Sequence, residues 1–189
     1  MMQHYWHTLT CESWFNYADM YKRMVEVASD NAHFVEVGSW KGRSASCMGV
    51  KIINSRKKIR FDCVDIWTIP LYLMPHVQSH HTLDDDILPI FMAAIDPVKE
   101  VVNVVRSISW EAADLYPDNT IDFIFIDACH DYDSVSKDIS AWYPKLRVGG
   151  IVAGHDFESP DVVRAVYDYF TSINKTSYSE VGGCWAVKK

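Results

Sequence analysis

"FVEVGSWKGRSA", residues 34–45, decides how the rest of the chain is read. Phe34, Val35 and Val37 form an apolar run of strand-like composition, which breaks at once into a turn holding Gly38 and Gly42. Glycines after a buried strand allow a sharp bend and a close approach of backbone to a ligand. Ser44 stands where a helix can open, and Glu36 lies in the strand beside the bend.

Working outward, four more apolar runs read as buried strands: 60–67, 101–107, 121–128 and 150–157. The near-continuous "IDFIFID" suits a strand covered on both faces, as in parallel sheets. Helical patterns lie between them at 44–54, 83–95, 109–115, 132–146 and 159–170, the last opening with Ser159 before Pro160. Upstream, residues 13–28 carry apolar side chains at i, i+3, i+4 spacing and predict an amphipathic helix whose aromatic stripe packs the core. "LRVGG" (146–150) reads as a helix end with a glycine stop. The tail forms two short strands around Gly182 and Gly183. This alternation predicts an α/β protein with a Rossmann-like, doubly wound sheet. The sheet is mostly parallel with a C-terminal antiparallel hairpin, and helices cover both faces. A single domain over 1–189 is expected, with a helical cap at 1–32 and the core at 33–189. Residues 68–86, with two prolines, three histidines and an acidic run, form the irregular segment.

Composition narrows the function. The net charge of −7 disfavours a nucleic-acid partner, because phosphate binding wants a basic face. No apolar run approaches the ~20 residues of a membrane helix, and the N-terminus lacks the pattern of a signal peptide. Five scattered cysteines without a CxxC pair read as reduced thiols in a cytoplasmic protein. The sequence is compatible with a homo-oligomer and names no partner subunit.

In open α/β sheets ligands bind outside the carboxyl ends of the strands. The turn reads E-x-G-x-x-x-G, not the G-x-G-x-x-G of a pyrophosphate site, so a ligand without phosphates is expected. Asp65 ends the second strand and is placed to accept from ribose hydroxyls. "IDACHDY" and "AGHDF" end two central strands, so Asp127, His130, His155 and Asp156 face one crevice. Buried carboxylates need a partner, and a divalent ion is a natural one.

These residues carry a resemblance. "VEVGSWKGRS", "VDIW", "IDFIFIDACHDYDSVSKDISAWYPKLRVGGIVAGHDF" and "GGCWAVKK" together resemble class I S-adenosylmethionine-dependent methyltransferases, in the small branch similar to metal-dependent sugar and macrolide O-methyltransferases. The resemblance implies that Glu36, Gly38, Ser39, Trp40, Gly42 and Ser44 cradle the methionine end of S-adenosyl-L-methionine. It implies that Asp65 holds the ribose, with Ile66, Trp67, Ser109, Trp110 and Glu111 about the adenine, and Asp127 touching cofactor and metal. A divalent metal, magnesium or manganese, would sit on Asp127, His155 and Asp156, and His130 would take the proton of a small hydroxylated substrate. His155 stands where such enzymes carry an oxygen ligand, so either the site prefers a softer ion or His155 is not a ligand. His130 stands where catechol O-methyltransferase-like enzymes carry a lysine. Asp131 and Asp133 are read as caps of the following helix, and Asp138 and Trp142 as structural. Two rival readings are kept: a non-catalytic or partner-dependent S-adenosylmethionine-binding domain, and a metal-dependent oxygenase using two histidines and a carboxylate. A nicotinamide dehydrogenase lacks its glycine fingerprint.

Overall fold

The structure is a computed structural model that describes residues 2–10, 14–68, 86–176, 178–180 and 182–189. The core is a seven-stranded sheet of β1 (His33–Val37), β2 (Arg60–Asp65), β3 (Val102–Arg106), β4 (Ile121–Ile126), β5 (Leu146–Gly154), β6 (Tyr178–Glu180) and β7 (Cys184–Lys188). Its order is β3-β2-β1-β4-β5-β7-β6. Strands β1 to β5 pair in parallel, while β7 runs antiparallel to both β5 and β6. Helices α1 (Ala18–Val27), α2 (Arg43–Ser55), α3 (Leu88–Ile95), α4 (Ser109–Ala112), α5 (Tyr132–Trp142) and α6 (Pro160–Ser172) alternate with the strands. The expected doubly wound, mostly parallel fold with its C-terminal hairpin is the observed one.

Period-two alternation sorts the strand side chains into two cores. Phe34, Phe123 and Phe125 pack with Tyr21, Met48, Ile52 and Phe91 on one face. Val35, Val37, Ile124 and Ile126 pack with Ile139, Trp142, Phe170 and Trp185 on the other. Register then positions the site. Val37 pairs with Val64 of β2 and with Ile126 of β4, so three strands end side by side. Gly38 N–H donates to Val64 O (2.8 Å) and Asp127 N–H to Val37 O (2.7 Å), carrying the pairing one residue beyond the strands.

The boundaries differ from the sequence reading in four places. Residues 14–17 are not helical; α1 begins at Ala18, because Trp14, Phe15 and Tyr17 turn toward the crevice instead of following the helix. "LRVGG" is strand rather than helix end. Leu146 pairs with Ile121, and Gly149 (φ +80°) lies where the register against β4 shifts, so the glycines form a bulge inside β5. Helix α5 stops at Trp142 and passes into a 3-10 turn, Tyr143–Lys145, that carries Pro144. Helix α3 starts at Leu88 with Pro89 in its first turn. Asp131 does cap α5, accepting from Ser134 N–H at 3.0 Å. Residues 69–85, with His76, His80 and His81, lie outside the described residues; the flanking Thr68 and Asp86 form an antiparallel bridge. Among the described residues no helix is long and apolar enough to cross a membrane. Cys47 and Cys63 are buried free thiols, and Cys11 lies outside the described residues.

The end of the sheet away from the crevice is tied by a buried acid. Asp62 accepts from Arg60 Nε (3.0 Å) and Nη2 (2.7 Å), Asn103 Nδ2 (3.1 Å) and His33 Nε2 (3.0 Å). Burial pushes its carboxyl up, but the bonds from His33, Arg60 and Asn103 outweigh that and bring it down to about 2. Replacing Asp62 by Ala removes the buried acceptor shared by the partly buried His33 and the exposed Arg60 and Asn103, which can turn to water, so unfolding free energy at neutral pH is expected to fall by about 1–2 kcal/mol. Because the folded value is depressed from 3.8, the stabilisation is present above the unfolded value and lost as pH falls through about 2. Urea melts of both proteins at neutral pH and near pH 3 check the loss and its narrowing.

Candidate functional site

A cavity of about 460 Å³ opens outside the carboxyl ends of β1, β2, β4 and β5. Its floor is the glycine turn. Gly38 (φ +88°) packs so closely on β4 that a Cβ there would lie 2.1 Å from Asp127 O. Gly42 (φ +87°) begins α2 in the left-handed region. Three non-glycine residues share that conformation here: Trp40 (φ +46°) and Asp156 (φ +54°) in the cavity wall and Trp67 (φ +50°) beside it. Backbone strain concentrated at one crevice is a mark of a functional site.

Of the predicted cofactor residues, Gly38, Ser39, Trp40, Gly42, Ser44, Asp65, Ile66, Ser109, Trp110 and Asp127 line this cavity. Glu36 does not. The strand period turns it onto the face packed by α1 and α2, where its carboxylate accepts from Tyr21 Oη (2.6 Å) and Ser44 Oγ (3.1 Å). Burial raises that carboxyl to about 7 against those bonds. Trp67 is buried too, its ring 4.6 Å from Phe91 and its Nε1–H donated to Trp40 O. Glu111 faces solvent and is absent from the lining. The Ser109–Trp110 wall is clamped by α5: Trp142 Nε1–H donates to Ser109 O (3.0 Å), and Lys137 Nζ lies 4.9 Å from the Trp110 ring centroid.

Asp65 is the hinge of the cofactor end. Its Oδ2 accepts from Ser39 N–H and Trp40 N–H, both at 2.9 Å, and its Oδ1 from Trp67 N–H at 2.7 Å. A carboxylate offers about four acceptor sites, and backbone N–H groups of the neighbouring turns take at least three of them here. Burial raises its carboxyl. Trp40 Nε1 and Arg43 Nε are buried at the wall without a hydrogen-bond partner among the described residues. A cradle with spare buried donors, a carboxylate at its edge and glycines under the ligand fits a polar, nucleoside-containing molecule such as S-adenosylmethionine.

At the other end Asp127, His130 and Asp156 present ligand atoms that all lie within 4.8 Å of one another. His130 Nε2 is 2.9 Å from Asp156 Oδ2 and 3.7 Å from Asp127 Oδ1. His155 Nδ1 is 3.2 Å from Asp156 Oδ2 and 3.7 Å from the same Asp127 oxygen. Both histidines therefore face the carboxylates, not His155 alone as the predicted ligand set has it. Burial lowers each imidazole, but the two carboxylates dominate and push both up to about 10. The same pairing lowers Asp127 and Asp156 against the effect of burial. Asp127, His130 and Asp156 are a donor set that fits a divalent ion; His155, which the predicted ligand set held in place of His130, lies beside the same two carboxylates.

Two members of this cluster's surroundings escaped the sequence. Tyr17 Oη donates to Asp127 Oδ2 (2.8 Å), and Asn16 Oδ1 lies 3.1 Å from His155 Nε2. Both belong to the segment read as helix, and no local signal marks them.

Comparison with known proteins follows the same lines. The methyltransferase domain family matches residues 35–157. The O-methyltransferase NovP is similar over 91% of this chain and 78% of its own, at 18% identity and a TM-score of 0.69. A precorrin-6y C5,15-methyltransferase from Geobacter metallireducens covers 96% and 93%, at 11% identity and 0.68. The calicheamicin methyltransferase CalS11 covers 90% and 76%, at 14% identity and 0.60. At such identities the likeness is one of fold. No sequence among the curated proteins matches significantly.

Proposed function

Because the chain belongs to the methyltransferase domain family, with the class I S-adenosylmethionine-dependent fold, we propose that it moves a methyl group to a hydroxyl of a small molecule. One observation carries this: the Asp127, His130, His155 and Asp156 cluster opens into the same 460 Å³ cavity as the glycine turn and Asp65. A methyl donor at one end and proton-handling groups at the other are what transfer to oxygen requires.

S-adenosylmethionine supplies an electrophilic methyl on a sulfonium. The turn at 38–44 would hold its amino-acid end, Asp65 would accept from the ribose, and Ile66, Ser109 and Trp110 would border the adenine. Asp127, Asp156 and His155 would hold a divalent metal, which lowers the pKa of a bound hydroxyl. His130, the more exposed of the two imidazoles, would take the acceptor's proton as the oxygen–methyl bond forms and the methyl–sulfur bond breaks, leaving S-adenosylhomocysteine. In the free protein His130 is cationic and no base. With Asp127 and Asp156 engaged by a cation, the charge that holds that proton would be reduced. The net acidity of the chain supports a small acceptor over a nucleic acid.

Calorimetric titration of S-adenosylhomocysteine, with and without manganese or magnesium, tests the reading. Binding on the order of micromolar is expected, with a further change when metal is present. Absence of binding under every condition sinks the assignment for this chain. Methyl-ether formation on hydroxylated acceptors, seen by mass spectrometry, then tests the reaction.

A further inference from the structure

Residues 14–17 leave helical geometry and run across the crevice, and Asn16 and Tyr17 each meet one member of the charged cluster. Asn16 Oδ1, an acceptor only, sits 3.1 Å from His155 Nε2. The hydrogen on that edge of the ring must therefore be on Nε2, and Nδ1 is the atom turned to the cluster, 3.2 Å from Asp156 Oδ2. The ring has little freedom to turn otherwise. His155 is 7% exposed, and its ring centroid lies 5.0 Å from that of Tyr17. Asn16 is itself held from behind: a Cβ at Gly182 (φ +81°) would come within 2.9 Å of Asn16 Oδ1. Glycine in the C-terminal hairpin turn thus leaves the space that the Asn16 side chain fills.

Tyr17 does for Asp127 what Asn16 does for His155. Its hydroxyl takes Oδ2 at 2.8 Å, which leaves Oδ1 as the oxygen facing both imidazoles at 3.7 Å. Two consecutive residues from outside the sheet therefore set one nitrogen and one oxygen toward the same point. Metal-binding histidines characteristically donate their other ring N–H to an oxygen acceptor, and loss of that acceptor costs ~10–100-fold in metal affinity.

We propose that Asn16 is a positioning residue that fixes His155 as an Nδ1 ligand, with Tyr17 orienting Asp127. The centre formed with Asp156 is then a mixed nitrogen–oxygen site for a borderline transition-metal ion such as iron, cobalt or zinc, with manganese bound more weakly. This rests on the metal part of the reading above and not on its cofactor part. An all-oxygen cage would suit magnesium; an imidazole fixed in this tautomer shifts the preference toward the later metals.

The experiment uses the full chain, titrated with Co²⁺ by visible absorption and with Mn²⁺ by electron paramagnetic resonance, with Mg²⁺ as competitor. Expected for the wild type are Co²⁺ bands of a nitrogen-ligated site and Mn²⁺ affinity about tenfold or more above Mg²⁺. Asn16→Leu removes the acceptor and is expected to weaken Mn²⁺ binding about 10–100-fold, while Asn16→Asp, which keeps one, stays within about threefold. Tyr17→Phe, which keeps the ring, gives a second route should Asn16→Leu melt early; a loss of about threefold or more in Mn²⁺ affinity is expected. S-adenosylhomocysteine binding, measured on the same samples, is expected to be unchanged in Asn16→Leu. Equal Mn²⁺ affinity in the wild type, Asn16→Leu and Tyr17→Phe overturns the proposal. So does a wild type that takes Mg²⁺ as well as Mn²⁺, or binds no metal. If S-adenosylhomocysteine fails to bind while the Co²⁺ signature holds, the cofactor assignment falls and this one stands.

Discussion

Gly38→Ala is expected to be the most damaging single-methyl change in this chain, lowering unfolding free energy by about 4 kcal/mol and abolishing cofactor binding. Two costs combine. An alanine at φ +88° sits in the left-handed region, a strain of about 1 kcal/mol or more. The added Cβ would also lie 2.1 Å from Asp127 O, 2.5 Å from Asp127 C and 2.8 Å from Ala128 Cα. Those atoms are backbone at the end of β4, fixed by the bond from Asp127 N–H to Val37 O, so they cannot rotate aside. Relief requires β1 and β4 to part where the crevice begins, an overpacking cost of about 3 kcal/mol. Gly42→Ala offers a graded comparison. Its Cβ would meet Phe91 Cδ2 at 3.0 Å, a side-chain atom that can shift, and a smaller loss is expected. Urea denaturation measures both; a loss below about 1 kcal/mol for Gly38→Ala is incompatible with the packing described.

Asp65→Ala is expected to reduce S-adenosylhomocysteine affinity by about a hundredfold or more, the sum of one lost ligand bond and a loosened turn. The carboxylate is the sole acceptor found for Ser39 N–H, Trp40 N–H and Trp67 N–H among the described hydrogen bonds. Without it those donors face one another across the end of β2, and each buried unsatisfied donor costs about 1–3 kcal/mol unless water enters. The residues concerned include Trp40, which already holds φ +46°. The shape of the turn therefore depends on the same side chain that is proposed to accept from the ribose. Asp65→Asn separates the two effects. It keeps one oxygen but turns an amide N–H₂ toward a donor, so turn stability is expected to fall less than binding does. Calorimetry of the three proteins decides the matter. An Asp65→Ala variant that binds S-adenosylhomocysteine normally takes this residue out of the cofactor pocket.

Much of this molecule is written in local pattern. The alternation of apolar runs with helical periodicity specifies a parallel sheet, because strands covered on both faces have no other arrangement that buries them. Once the topology follows, Gly38, Asp65, Asp127, His155 and Asp156 must gather, since each ends or follows a parallel strand. Proline and aspartate marked the starts of α6 and α5 through backbone chemistry confined to a few residues. What local pattern could not carry is of two kinds. Glycine has more than one use: in "LRVGG" the pair that reads as a helix stop is a bulge inside β5, and only pairing with β4 distinguishes the two. Burial likewise depends on which face a strand residue turns to. Glu36 has the parity of Phe34, so it enters the core beneath α1 and bonds Tyr21 rather than a ligand.

The second kind is contact between distant parts of the chain. Asn16 and Tyr17 reach His155 and Asp127 across 139 and 110 residues of sequence. Their helical spacing is real and continues into α1, yet the helix begins only at Ala18, and Asn16 and Tyr17 instead meet His155 and Asp127 in the crevice. Strand order, register and the convergence of the strand-end acids follow from short-range chemistry repeated along the chain. The orientation of the imidazoles and carboxylates within that convergence was settled by side chains that meet only after the sheet has formed.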